Sequence, residues 1–311
     1  MKNTIWAIMT ILLISCSAPR KILESKELTA KCHCEGIGKY TIVMDAGMGN
    51  WSLFYQPIFQ MLKQETRVCI INRAGYAMDS VSLNTRDAKT IAFEIEDALK
   101  HQGVDDNIIM VGHSLGGLHV RMYQSIFPNK VKAIILLESA HPDQFNQLPR
   151  AFYDLQKQQS ASLDKVIKLA QKDYLKYSKG SIPTFGIPDH LLADYYKVTT
   201  QPEYYRTMKM ESVEFENNLT IVGALNDLGV LPLLVIGSRK SLDSSILPGK
   251  LNEYPFEEHN RKWFELQKEL AKLSDNSTFV ASNHNHYLYI TDNEFVTKQI
   301  ILFINKNFEI Q

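Results

Sequence analysis

The chain has 311 residues, 45% hydrophobic and 22% charged, which suits one large core and falls short of two independent domains. Lys plus Arg equals Asp plus Glu at 34 each, so no whole-molecule field attracts nucleic acid or an acidic membrane surface. No repeat with a period of roughly 20 to 50 residues and no low-complexity tract occurs, which excludes solenoids and arrays.

At the start, Lys2 is positive and Ile5 to Ile14 is mostly apolar. A run of about ten such residues is too short to span a bilayer as a helix and suits the apolar region of a signal peptide. It ends in Leu13-Ile14-Ser15-Cys16, which resembles the lipobox of bacterial lipoproteins. The resemblance implies a signal peptide over 1–15, a lipidated Cys16 at the mature N-terminus and a tether over 16–27. It also implies a place in the bacterial cell envelope, anchored by lipid and facing the periplasm or exterior. Several acyl chains on one cysteine make a stable anchor, where one chain is marginal.

Cys32, Cys34 and Cys69 remain. An exported chain meets an oxidising compartment that permits a disulfide. A zinc reading of Cys32-His33-Cys34 is weak. In a strand the two cysteines share a face and His33 takes the other, and no second ligand pair follows. No metal and no cofactor is expected.

Buried strands are predicted at Tyr40 to Asp45, Arg67 to Asn72, Asn107 to Gly112, Val131 to Glu138, Leu231 to Ile236 and Ser277 to Ala281. Continuous apolar runs of this kind fit strands covered on both faces, as in a parallel sheet. Helical spacing marks Asp87 to His101, Leu115 to Phe127 and Asn293 to Asn307. Alternation of strand and helix predicts a doubly wound α/β fold. The stretch 143–228 breaks the rhythm. It carries helical patterns such as Ser162 to Tyr174 and many aromatics, among them Phe152, Phe185, Tyr195, Tyr196, Tyr204 and Tyr205. It reads as a helical cap insertion in a core made of 28–142 and 229–311. Most of its aromatics should form the insertion's own core, with a few lining a cleft.

Gly112-His113-Ser114-Leu115-Gly116 fits G-x-S-x-G, with a buried strand before it and a helix after it. So tight a turn forces the serine into strained backbone and presents Ser114 Oγ above a helix N-terminus. The Leu115 N–H is free there, because first-turn amides have no helical partner. Met48, between Gly47 and Gly49 in the loop after the first parallel strand, is the candidate second donor for an oxyanion. Serine needs a base, and a histidine late in the chain after the last strand is expected. His284 and His286 both stand there, and His286 is preferred. His113 reads as packing, and His119 lies in the helix behind the serine.

Asn72-Arg73-Ala74-Gly75-Tyr76 resembles the "DRAGYG" turn of one branch of the α/β hydrolases. Cys34 to Gly38, Arg121 with Tyr123, Ala140-His141-Pro142-Asp143, and Trp263 to Ser274 followed by His286-Tyr287 are similar to the same branch. The resemblance spans roughly residues 30 to 305 and is weakest in the insertion. It implies an α/β-hydrolase fold, with a mostly parallel eight-stranded sheet flanked by helices and a helical cap. Asn72 stands where Asp is usual, Ala77 where Gly is usual and Asn293 where Pro often precedes the last helix. The implied sheet order makes the early strand a neighbour of Arg67 to Asn72, so Cys34 is expected to pair with Cys69, with Cys32 as the alternative. The usual acid position, after Leu231 to Ile236, offers Arg239 and Lys240 before a late Asp243. Some α/β hydrolases place the acid at the end of the preceding strand, where Glu138 stands. Glu138 is therefore the expected acid and Asp243 the alternative.

The expected activity is hydrolysis of a small or medium organic ester, less readily an amide, through an acyl-enzyme. Aminopeptidase-like or acyltransferase activity on the same residues is the second reading, and a catalytically inactive binding protein is the third. Dehalogenase and epoxide-hydrolase relatives use a carboxylate nucleophile where this chain has Ser114. The oligomeric state is not legible.

Overall fold

The computed structural model describes residues 30–77, 84–177, 179–243 and 254–308. The expected signal peptide, Cys16 and the expected tether lie outside the described residues. Strands β1 (Lys31–Glu35), β2 (Thr41–Asp45), β3 (Arg67–Asn72), β4 (Ile108–His113), β5 (Val131–Leu137), β6 (Leu233–Ser238) and β7 (Ser277–Ser282) form one sheet in the order β1-β3-β2-β4-β5-β6-β7. Only the β1–β3 pairing is antiparallel. All six strands expected from the apolar runs are present within a residue or two. Pro232 sits just before β6 and its carbonyl accepts from Ile134 N–H, since a proline has no donor to give the ladder.

The sheet has seven strands among the described residues, where the resemblance implied eight. β1 is the outer edge, half-buried to exposed, and Ala30 is the only described residue before it.

The helices are α1 (Ser52–Leu62), α2 (Ala88–His101), α3 (Leu115–Ile126), α4 (Gln144–Gln147), α5 (Arg150–Gln171), α6 (Tyr174–Tyr177), α7 (Leu192–Thr199), α8 (Pro202–Gly223), α9 (Phe256–Ala271), α10 (Leu288–Thr291) and α11 (Asn293–Asn307). The strands' alternate side chains feed two cores. Ile42, Met44, Ile70, Ile109, Val111, Ile135 and Ile236 pack with α1, α10 and α11. Val43, Ile71, Met110, Ile134, Leu136 and Val235 pack with α2, α3 and α9. Each such buried side chain contributes about 1.5–3 kcal/mol. Asp87 caps α2 by accepting from Thr90 N–H at 2.9 Å. No described helix is long and apolar enough to cross a membrane.

Between β5 and β6 the described elements are all helical, α4 to α8 with two short 3-10 turns. Of the helical pattern at Ser162 to Tyr174, the part up to Gln171 belongs to a longer helix, α5, which begins at Arg150 after Pro149, and Tyr174 opens α6. The aromatics of this insertion pack on one another, as at Phe145–Tyr153 and Tyr204–Tyr205, and several also pack on the core. Tyr195 stacks on Trp51 with ring centroids 5.7 Å apart, Tyr204 meets Trp51 edge-on at 5.8 Å, and Phe185 stacks on Tyr287 at 4.6 Å.

Cys34 lies opposite Cys69 in the β1–β3 register, and the two are joined in a disulfide, as expected. The Cys32 thiol is free, 3.5 Å from Cys34 Sγ, and burial pushes its pKa up to about 12 against a weaker lowering by Arg67. The crosslink closes a loop of 35 residues, for which chain entropy gives about 4 kcal/mol. Cys69→Ala should lose a comparable part of the unfolding free energy in a denaturant titration, and Cys32→Ala should lose little. Equal effects would contradict the pairing.

Candidate active site

The turn from β4 into α3 puts Ser114 at φ +51°, left-handed backbone that a serine adopts only under constraint. The glycines around it are required by contact. A Cβ on Gly116 would lie 2.3 Å from the carbonyl oxygen of Asp45, and one on Gly112 would lie 2.6 Å from that of Gly116. Ser114 is half-buried, and its Oγ holds no hydrogen bond among the described residues.

His286 follows β7, as expected, and is tied to the elbow through its backbone. Its carbonyl accepts from His113 Nε2 at 2.9 Å, and the two rings lie 4.6 Å apart. His113 is therefore more than packing. His284 turns outward, with Nε2 3.1 Å from Asp292 Oδ2.

Glu138 reaches His286. Its Oε2 lies 3.3 Å from His286 Nδ1 and accepts from Trp263 Nε1–H at 2.9 Å, while its Oε1 accepts from Ser238 N–H at 2.6 Å. Glu138 is fully buried and, like Ser114, has positive φ, +47°. Ser238 ends β6, so the neighbouring strand supplies a donor to the carboxylate. Ser241 Oγ lies 3.5 Å from His286 Nδ1. Asp243 is half-buried on the same loop.

The loop after β2 lies against the serine: a Cβ on Gly47 would be 3.1 Å from Ser114 Cβ. Met48 N–H and Leu115 N–H have no protein hydrogen-bond partner among the described residues. Two backbone donors beside a serine can hold a negatively charged oxygen. The expected residues Ser114, His286, Glu138, Met48 and Leu115 thus share one end of the sheet.

Sequence reasoning missed what holds this loop. Arg73, 1% exposed, is paired with Asp45 and Glu211, both fully buried, and His119 Nδ1 lies 2.7 Å from Asp45 Oδ2. Burial pushes the Asp45 carboxyl up, but Arg73 and His119 beside it outweigh that and hold it below the usual range. Two of the three departures from the resembled pattern have a visible setting. Asn72 Oδ1 accepts from Ser52 N–H at 2.8 Å, capping α1. Ala77 has φ +53°, a conformation that glycine adopts more readily. The three cysteine sulfurs lie within 4.8 Å of one another, but two of them are consumed by the disulfide.

Residues 40–178 match the family model described as alpha/beta hydrolase fold. The architecture is that of the α/β hydrolases, with a mostly parallel sheet of seven described strands flanked by helices. The chain is 29% identical over 113 residues to the "Uncharacterized protein YbdG" of Bacillus subtilis (strain 168), and 25% identical over 108 residues to "Methylesterase 9" of Arabidopsis thaliana. These matches cover 36% and 34% of this chain, and the chain spans only 35% and 42% of those relatives. A solved thermophilic esterase from Thermogutta terrifontis superposes with a TM-score of 0.64 at 17% identity, over 90% of this chain and 94% of that one. The solved epoxide hydrolase CorEH does so with a TM-score of 0.68 at 15% identity, over 89% and 95%.

Burial lowers His113 well below the usual histidine range, with His286 beside it adding to the effect, and lowers His141 and His259 to about 4. Folded, these rings stay neutral, while the unfolded chain takes up their protons near pH 6.5. Their contribution is therefore complete above pH 6.5 and lost as pH falls, for His141 and His259 until about pH 4. Three such groups allow a slope of about 4 kcal/mol per pH unit at most. Denaturation midpoints measured from pH 7 to pH 5 should fall steadily, and a flat profile would contradict the burial of neutral rings.

Proposed function

We propose that the protein is a serine hydrolase that cleaves an ester, less readily an amide, of a small or medium organic substrate. The observation that carries the reading is the contact of Glu138 with His286 Nδ1, next to a serine held in left-handed backbone between glycines. In this reading His286 Nε2 takes the proton of Ser114 Oγ as it attacks the acyl carbon. The Met48 and Leu115 amides receive the oxyanion. Collapse of the tetrahedral intermediate expels the alcohol, which takes the proton back from His286. Water, activated by the same imidazole, then releases the acid from Ser114. Glu138 fixes the tautomer of His286 and stabilises the imidazolium.

The structural neighbours support the fold alone, and they include both an esterase and an epoxide hydrolase. Ser114 at the elbow favours acyl transfer over epoxide opening, which in those relatives starts from a carboxylate. Aminopeptidase-like and acyltransferase activity would use the same residues, and an inactive binding protein would need none of them.

Ser114→Ala should abolish labelling by a fluorophosphonate and lower kcat by about a millionfold. Glu138→Gln should lower kcat by about three to four orders of magnitude, and Asp243→Asn should change it little. The reverse ranking would move the acid to Asp243, and undiminished turnover in Ser114→Ala would end the mechanism.

We also propose that the chain is anchored to an envelope membrane through lipid on Cys16. The support is the apolar run ending in Ile14-Ser15-Cys16. Cys16→Ala should move the protein to the soluble fraction or leave it unprocessed. An unmodified N-terminus beyond residue 16 in the wild type, seen by mass spectrometry, would refute the anchor.

A further inference from the structure

We propose that Glu211, a carboxylate of the insertion, is a positioning residue that sets the direction of the Met48 N–H through Arg73 and Tyr76. The proposal rests on the reading of Met48 as an oxyanion donor.

The argument is an accounting of hydrogen bonds. A guanidinium has five N–H donors in a rigid plane, and Arg73 commits every one. Nε donates to Glu211 Oε1 at 2.7 Å. Nη1 donates to Asp45 Oδ1 and to the Ala46 carbonyl, both at 2.7 Å. Nη2 donates to the Gly47 carbonyl at 2.8 Å and to Glu211 Oε2 at 3.1 Å. The two carboxylates thus grip the plane from two sides and leave its remaining donors for the two loop carbonyls. The Gly47 carbonyl and the Met48 N–H belong to one trans peptide and point opposite ways. With the carbonyl held by Arg73, the Met48 N–H must point away from Arg73.

The other side of the loop leads to the same carboxylate. Gly49 N–H donates to Tyr76 Oη at 3.0 Å, and Tyr76 O–H donates to Glu211 Oε2 at 2.8 Å. Tyr204, also on α8, donates its hydroxyl to the Gly49 carbonyl at 3.0 Å. The carbonyls of Asp45, Ala46, Gly47 and Gly49 and the N–H groups of Gly49 and Asn50 all have protein partners. The Met48 N–H, flanked by these fixed groups, does not. The insertion sits close enough to enforce this, since a Cβ on Gly75 would lie 1.7 Å from Thr207 Oγ1 of α8. Glu211 touches neither the serine nor the path of the proton, so its effect passes entirely through the loop.

The test uses the full chain with Glu211→Gln and Tyr76→Phe. A glutamine keeps the shape but has one acceptor oxygen in place of two, so it cannot accept from both Arg73 Nε and Arg73 Nη2, and the phenylalanine removes only the hydroxyl that receives Gly49 N–H. Hydrolysis of p-nitrophenyl butyrate gives kcat and KM. A trifluoromethyl ketone of matched chain, which forms an oxyanion on the serine, and the matched methyl ketone, which binds without one, give inhibition constants. The expected result is a fall in kcat of about 10- to 100-fold with little change in KM. The inhibition constant of the trifluoromethyl ketone should rise by the factor by which kcat/KM falls, and that of the methyl ketone should hold. A role in stability alone would move both ketones together or neither. A folded Tyr76→Phe that binds the trifluoromethyl ketone as wild type does overturns the proposal, and it decides alone if Glu211→Gln fails to fold. A wild type that takes no fluorophosphonate label overturns the hydrolase reading and this inference with it. A labelled wild type beside unchanged variants overturns the inference only.

Discussion

Arg73 is a full positive charge with no access to water, and the surrounding structure is arranged so that it can exist. Asp45 comes from the end of β2, Arg73 from the end of β3, His119 from α3 and Glu211 from the insertion. Removing one partner from such a buried pair typically costs about 3–5 kcal/mol, because a charge is left uncompensated. The same groups could be replaced by apolar side chains at less cost to stability. Stability is therefore a poor reason for the network, whereas direction is a better one. A guanidinium plane fixes where two loop carbonyls point, which a greasy contact cannot do.

The same economy of geometry governs the other end of the site. β5 lies between β4, which delivers Ser114, and β6, which ends at Ser238. An acid at the end of β5 lies one strand from the serine. There the N–H of Ser238 and the indole of Trp263 hold Glu138 without a counter-charge. Arg239 and Lys240, which follow Ser238, leave the usual acid position to cations, and Arg239 lies over the Phe264 ring. Both Ser114 and Glu138 sit in left-handed backbone at the ends of adjacent parallel strands. Each chain turns sharply there, so that its polar side chain stands above the sheet rather than along it.

Much of this was legible because it obeys local rules. The six parallel strands follow from apolar runs, the elbow from glycines whose Cβ atoms would strike backbone, and the choice of His286 from its place after β7. The choice of Glu138 over Asp243 needed one step more, an argument about which strands are neighbours, and Glu138 Oε2 lies 3.3 Å from His286 Nδ1. The disulfide needed the same step. The number of strands was less secure, because edge strands carry few buried residues and β1 is only half covered.

The Arg73 network was not legible, although Arg73 stood inside a motif that was noticed. Its partners lie 28 and 138 residues away, and the second sits in the insertion. A helix pattern tells which face of α8 is apolar but not where α8 docks. Glu211 reads along the chain as one acidic residue on a mixed helix, flanked by Met210 and Ser212. Only docking turns it toward Arg73 and turns its exposed neighbour Val213 outward. The aromatics divide for the same reason. Tyr195 and Tyr204 each meet a neighbouring tyrosine of the insertion, as a core of its own would have it, but both also meet Trp51, which precedes α1 in the core. An insertion without its own closed core gains its stability by packing on the core. Its shape and the set of the loop beside Ser114 are then one problem, because α8 carries both the aromatic that meets Trp51 and the carboxylate that grips Arg73.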